Sequence, residues 1–257
     1  MTVPQIALTE VVGAADAPLL VLGPSLGTSA ILWETTAPLL SDRYRVVAWD
    51  LPGHGDSPAP TAPFTVADLA DAVAEAVRGL GADRMLYAGV SLGGAVGLEL
   101  ALRHPELLSG AAIVASGAQL GDPAAWHERA AQVRAQSTSS LIIGSAQRWF
   151  APGSIEREPE LSGRLLHALQ GADDEGYALC CEALAAYDVR DRLAEIRVPV
   201  RAIWGRADQV APEAKAVEIA EGVQRGAVAV IEDAAHLPPA EQPAATASAL
   251  RAFFDSL

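Results

Sequence analysis

Short apolar runs bounded by turn residues recur along this chain, and each reads as a buried strand. They are Pro18–Gly23 (PLLVLG), Tyr44–Trp49 (YRVVAW), Arg84–Val90 (RMLYAGV), Leu108–Ala115, Val200–Trp204 and Ala227–Ile231. Elsewhere the apolar period lengthens to that of a helix. Over Thr65–Leu80 it puts Val66, Leu69, Val73, Ala76, Val77 and Leu80 on one face, with Thr65 as N-cap and Gly81 as stop. Helices are predicted as well over Leu92–Arg103, Pro212–Glu221 and Ala240–Phe254. Strands alternating with helices predict an α/β fold with a mostly parallel, doubly wound sheet.

One stretch breaks the alternation. From Gln119 to Asp191 there is no strand-like run, only helical patterns interrupted by Pro123, Pro152, Gly153, Pro159 and Gly171. Ordinary connections are far shorter. Residues 119–191 are therefore expected to form a helical cap over a core made of residues 1–118 and 192–257.

The string Tyr87-Ala88-Gly89-Val90-Ser91-Leu92-Gly93-Gly94 contains G-x-S-x-G where a predicted strand meets a predicted helix. Such a turn lifts Ser91 above the sheet at a helix N-terminus, where free N–H groups can hold an oxyanion. A serine needs a base, and the base an orienting acid. In the order Ser…Asp…His, Asp208 and His236 follow Ser91, each on a loop after a strand end. His104 ends a helix, and His127 and His167 precede the acid. Asp188 and Asp191 lie at the cap's exit, and Asp233 serves its own loop. The oxyanion donors are expected to be Leu92 and Leu26, because Pro24 in Gly23-Pro24-Ser25-Leu26-Gly27-Thr28 has no N–H. Ser25 is close enough to touch substrate. His54 reads as a residue holding the turn Asp50–Ser57.

Composition narrows the partners. Hydrophobic residues are 51% of the 257 and charged residues 19%, which excludes disorder. A net charge of −14, with Lys215 the single lysine, argues against nucleic acid and anionic membranes. The first twelve residues carry no signal-peptide pattern, so a cytoplasmic protein is expected. Cys180 and Cys181 are adjacent, which suits two buried helix residues and no metal or disulfide framework.

These strings together resemble the α/β-hydrolase superfamily: D-x-P-G-H-G-x-S at Asp50–Ser57, G-V-S-L-G-G at Gly89–Gly94, G-x-x-D-x-V-x-P at Gly205–Pro212 and H-L-P at His236–Pro238. Within it they resemble the 3-oxoadipate enol-lactonase family through Ser25-Leu26-Gly27-Thr28, Arg148-Trp149-Phe150 before Pro152, and Tyr177–Leu184 ahead of Asp188-Val189-Arg190. The family often has Asn at Pro24 and Gly at Ala235. The resemblance implies a serine hydrolase that opens an anionic lactone to 3-oxoadipate in aromatic catabolism, with no metal or organic cofactor. It further implies Arg148 as the cation for the substrate carboxylate and Trp149 as an apolar wall, with Arg190 a second cation to test. Some relatives carry a fused decarboxylase; this chain, ending soon after its last predicted helix, is expected to be the lactonase alone. Other carboxylesterases, perhydrolases, C–C hydrolases and a non-catalytic ligand receptor share the scaffold. Oligomeric state has no sequence signal here.

Overall fold

The computed structural model describes residues 3–257; Met1 and Thr2, which the sequence reading assigns to the core, lie outside them. Six parallel strands form one sheet: β1 (Leu19–Gly23), β2 (Arg45–Ala48), β3 (Met85–Val90), β4 (Leu108–Val114), β5 (Val200–Gly205) and β6 (Gly226–Ile231). They lie side by side in the order β2-β1-β3-β4-β5-β6, all parallel. The central strands β1 and β3 are buried along their whole length, as a parallel sheet covered on both faces requires. The edge strand β6 is half exposed.

Helix α1 (Val66–Gly79) starts at Thr65, whose hydroxyl and the Asp68 carboxylate form a reciprocal capping box. It packs on α2 (Leu92–Arg103), which lies against β3 and β4; α8 (Glu213–Gly222) covers β5 and β6. The single terminal helix predicted from Ala240 is two helices, α9 (Pro238–Glu241) and α10 (Pro243–Phe254). Pro243 causes the break. It forces Gln242 out of the helical region, to φ −139° and ψ 65°.

Between β4 and β5 the chain is helical: α3 (Pro123–Gln136), α4 (Ile142–Trp149), α5 (Ser154–Arg157), α6 (Pro159–Gly171) and α7 (Asp174–Ala185). Asp122 caps α3 and Asp173 caps α7 through the side-chain acceptors such ends need. Arg134 of α3 reaches Glu175 and Glu182 of α7, so these two helices clasp each other. Cys180 and Cys181 are buried in α7. Gln119 bridges Asp188, and Val189 N–H donates to Ala118 O at 2.9 Å, so the insertion leaves and re-enters the sheet at one neck.

Candidate active site

Ser91 sits between β3 and α2 at φ 55° and ψ −114°, a conformation that costs a non-glycine residue about 1–3 kcal/mol. The surroundings hold it there. Ser91 N–H donates to Val114 O at 2.9 Å, and Ser116 Oγ donates to Ser91 O at 2.6 Å. The flanking glycines permit the sharp turn. A Cβ on Gly89 would fall 2.2 Å from Gly93 O, and one on Gly93 would fall 2.6 Å from Pro24 O.

Asp208 follows β5 and His236 follows β6, at the same end of the sheet. His236 Nδ1–H donates to Asp208 Oδ2 at 3.0 Å, which leaves Nε2 as the basic nitrogen. Asp208 Oδ1 accepts from Val210 N–H at 2.8 Å and Ala211 N–H at 3.2 Å. Burial alone would push the Asp208 carboxyl up; His236 and the two N–H donors outweigh it and hold the group below its usual range. Ser91 and His236 line one cavity of about 260 Å³ without a hydrogen bond between Ser91 Oγ and the imidazole. Such contacts commonly tighten only around substrate. A larger cavity, about 540 Å³ beside Trp33 and Asp50, contains neither residue.

The loop after β1 meets this cavity through Ser25 and Leu26. Thr28 N–H donates to Ser25 O at 3.0 Å, closing a turn whose Gly27 stands at φ 81°, the position a type II turn reserves for glycine. The Thr28 hydroxyl locks the turn, donating to Ser25 O at 2.8 Å and accepting from Ser25 N–H at 3.1 Å. Pro24 contributes its carbonyl, which accepts from Gly93 N–H at 3.0 Å and ties the loop to the serine turn. Neither Leu26 N–H nor Leu92 N–H has an acceptor among the described residues, so both are available to a ligand beside Ser91.

The cap supplies the opposite wall. Arg148 and Trp149 at the end of α4 both line the cavity. Arg129, which the sequence reading did not single out, lines it too, with its guanidinium 5.0 Å from the centre of the Trp126 ring. The available signal was the Trp126…Arg129 spacing, one helical turn apart. Neither Arg129 nor Arg148 pairs with a carboxylate among the described residues. Burial, then the nearby Arg129, lowers the Arg148 guanidinium from its ordinary value. The cavity's one acidic side chain, Asp122, is committed to the N-terminal N–H groups of α3. Arg190 is not part of this wall: it is exposed and held by Asp188 at 2.6 Å, two residues away in sequence.

The other histidines lie apart from the cavity. His54 Nδ1–H donates to Pro52 O at 3.0 Å, and its ring stacks on Tyr177 of α7 at 6.0 Å. Burial pushes it down to about 4, so it is neutral. His104 caps the end of α2 and meets Asp71 at 2.7 Å. Among the described residues no group of three or more His, Cys, Asp or Glu is placed to hold a metal ion.

A strained serine turn, an Asp–His pair and two free N–H groups at the C-terminal end of a parallel sheet are an arrangement that can carry acyl transfer. Residues 18–243 match the family described as alpha/beta hydrolase fold, and the chain belongs to that family. Its relatives include 3-oxoadipate enol-lactonase 2 of Acinetobacter baylyi, 36% identical over 93% of this chain and 90% of that protein. The crystal structure of the enol-lactonase from Burkholderia xenovorans superposes with a TM-score of 0.92 at 32% identity, covering 97% of this chain and 96% of that one. A putative carbamate hydrolase of Pseudomonas syringae is 30% identical over 94% of this chain and 95% of its own length. The protein is a hydrolase of this fold.

Proposed function

We propose that this protein opens 3-oxoadipate enol-lactone to 3-oxoadipate in the β-ketoadipate route of aromatic catabolism, through an acyl-enzyme on Ser91. The observation that carries the reading is the pair of cations without carboxylate partners, Arg129 and Arg148, in the cavity of Ser91 and His236. Both arginines are half-buried, which makes a ligand counter-charge favourable, and arginine binds carboxylate bidentately. The likeness to enol-lactonases supports the same substrate.

In this mechanism His236 Nε2 takes the proton from Ser91 as Oγ attacks the lactone carbonyl, and Asp208 stabilises the imidazolium. The N–H groups of Leu26 and Leu92 hold the tetrahedral oxyanion. Its collapse breaks the ring C–O bond. The leaving enolate oxygen receives the proton from His236, and the enol tautomerises to the ketone, which makes ring opening favourable. Water, deprotonated by His236, then attacks the acyl-enzyme, and Ser91 leaves with the proton returned. The route as written draws only on protein groups and water. Ser25 and Trp149 complete the pocket around the lactone ring. No helix among the described residues is long and apolar enough to cross a membrane.

Carbamate hydrolysis is the second reading, favoured by the Pseudomonas syringae relative. A neutral carbamate ester would leave both cavity arginines without a counter-charge, whereas the free carbamate anion would not, so the lactone ranks first on the likeness to enol-lactonases together with charge. The test is hydrolysis of enol-lactone and of a carbamate by wild type and Ser91→Ala. Ser91-dependent turnover of the lactone is expected; turnover of the carbamate alone would replace the proposal.

A further inference from the structure

We infer that Glu241 is a positioning residue whose buried carboxylate holds the His236 loop and the cap segment beyond Trp149 in one fixed relation. The inference rests on His236 acting as the catalytic base. Oε1 of Glu241 accepts from Ala235 N–H at 2.8 Å and Leu237 N–H at 3.2 Å, the residues on either side of His236. Oε2 accepts from Ala151 N–H at 2.6 Å and the Ser154 hydroxyl at 2.8 Å, both just past Trp149. Trp149 O in turn accepts from His236 N–H at 3.1 Å. One side chain therefore satisfies four donors from two segments about ninety residues apart in sequence.

The arrangement asks for a carboxylate. Four donors converge on two oxygens, and hydrogen bonds to an ionised acceptor are roughly twice as strong as neutral ones. Arg157 donates to Ser154 Oγ at 2.9 Å and so places a cation one step behind the cluster. Arg157 also reaches Asp233 O at 3.3 Å, and Gln242 Nε2 reaches it at 3.2 Å, so the start of the His236 loop is held from the same side. Burial pushes the Glu241 carboxyl up, and the four donors oppose that shift. The consequence is mechanical. A shift of the cap segment carrying Trp149 is passed through Glu241 to the base, and the base cannot move without moving that wall.

The experiment uses the full chain and two substrates: 3-oxoadipate enol-lactone, and p-nitrophenyl acetate as a small neutral ester. Active-site titration with an organophosphonate normalises each rate to enzyme with a reactive Ser91. Glu241→Ala is expected to lower kcat about tenfold or more on both substrates, the scale of loss that a small misplacement of a catalytic group produces. Glu241→Gln should lose less, because its amide oxygen can still accept from Ala235 and Leu237, although its nitrogen leaves the Ala151 N–H without an acceptor. A titrated Glu241→Ala enzyme with wild-type kcat on the ester and only a lower Tm would overturn the inference. If that variant does not accumulate, Glu241→Gln decides: a lowered kcat on the ester supports positioning, and a wild-type kcat overturns it. Absence of lactone turnover in the wild type would reject the lactonase reading alone, with the ester still judging Glu241.

Discussion

The two walls of the cavity are built from different material. On the sheet side the positions are set by backbone: Gly89 and Gly93 leave no room for a Cβ, Pro24 O binds Gly93 N–H, and Ser91 is held at a positive φ. On the cap side the cavity is lined by long side chains, Arg129 on α3 and Arg148 on α4, with no carboxylate partner among the described residues. The first wall has no room even for an added methyl group at Gly89 or Gly93. The second carries two cations on separate helices, α3 and α4. On the proposed mechanism the reaction is a property of the sheet and its loops, and the choice of substrate a property of the helical insertion.

The largest effects should come from the sheet side and fall on every substrate alike. Ser91→Ala is expected to lower kcat by about 10⁴-fold or more on lactone and neutral ester, measured by steady-state hydrolysis. Gly93→Ala would drive a Cβ against Pro24 O and push the Leu26 turn away from Leu92. Loss of one oxyanion donor costs about 10²–10³ in kcat, again without regard to substrate. A Gly93→Ala enzyme impaired on the lactone alone would break the division between the walls.

The seam between the walls has its own signature in acid. His54 lies on the sheet-side loop after β2 and stacks on Tyr177 of the cap. Its folded value, about 4, lies below the ordinary 6.5, so the unfolded chain binds a proton across that interval that the folded protein declines. The associated stability is whole above pH 6.5 and is lost as pH falls through 4, with a full span of about 3 kcal/mol. His54→Gln should flatten the dependence of Tm on pH over that interval; an unchanged acid limb would assign the loss to other groups.

The smallest effects, and the most selective, belong to the cap. Arg129→Ala is expected to raise KM for the enol-lactone about tenfold or more, as for a lost charged hydrogen bond, and to leave the neutral ester unchanged. Arg148→Ala should act in the same direction. Equal effects on both substrates would remove these arginines from substrate choice.

The same contrast governs what the sequence makes legible. All six strands are short apolar runs, and their ends fall within a residue or two of the expected ones. Ser91, Asp208 and His236 could be singled out because each follows a strand, and strand order carries them to one end of the sheet. The cap is less transparent. Helix α3 (PAAWHERAAQVRAQ) buries only Ala130 and Val133, so Arg129 reads as one more surface cation until α7 and α4 close around it. Arg190 stood behind Arg148 as a second cation to test, yet its neighbour Asp188 captures it. Glu241 had no signal in a run that reads as an amphipathic helix, since its burial depends on N–H groups from a distant loop. Backbone-set features are local and readable; side chains recruited across the cavity are not.

The most direct test of the account is the ratio of kcat/KM for 3-oxoadipate enol-lactone to that for p-nitrophenyl acetate, in wild type and in Arg129→Ala/Arg148→Ala. The account predicts a ratio strongly in favour of the lactone that falls about a hundredfold in the double variant, with the ester rate preserved. A ratio that stays at its wild-type value when both cations are gone would contradict it.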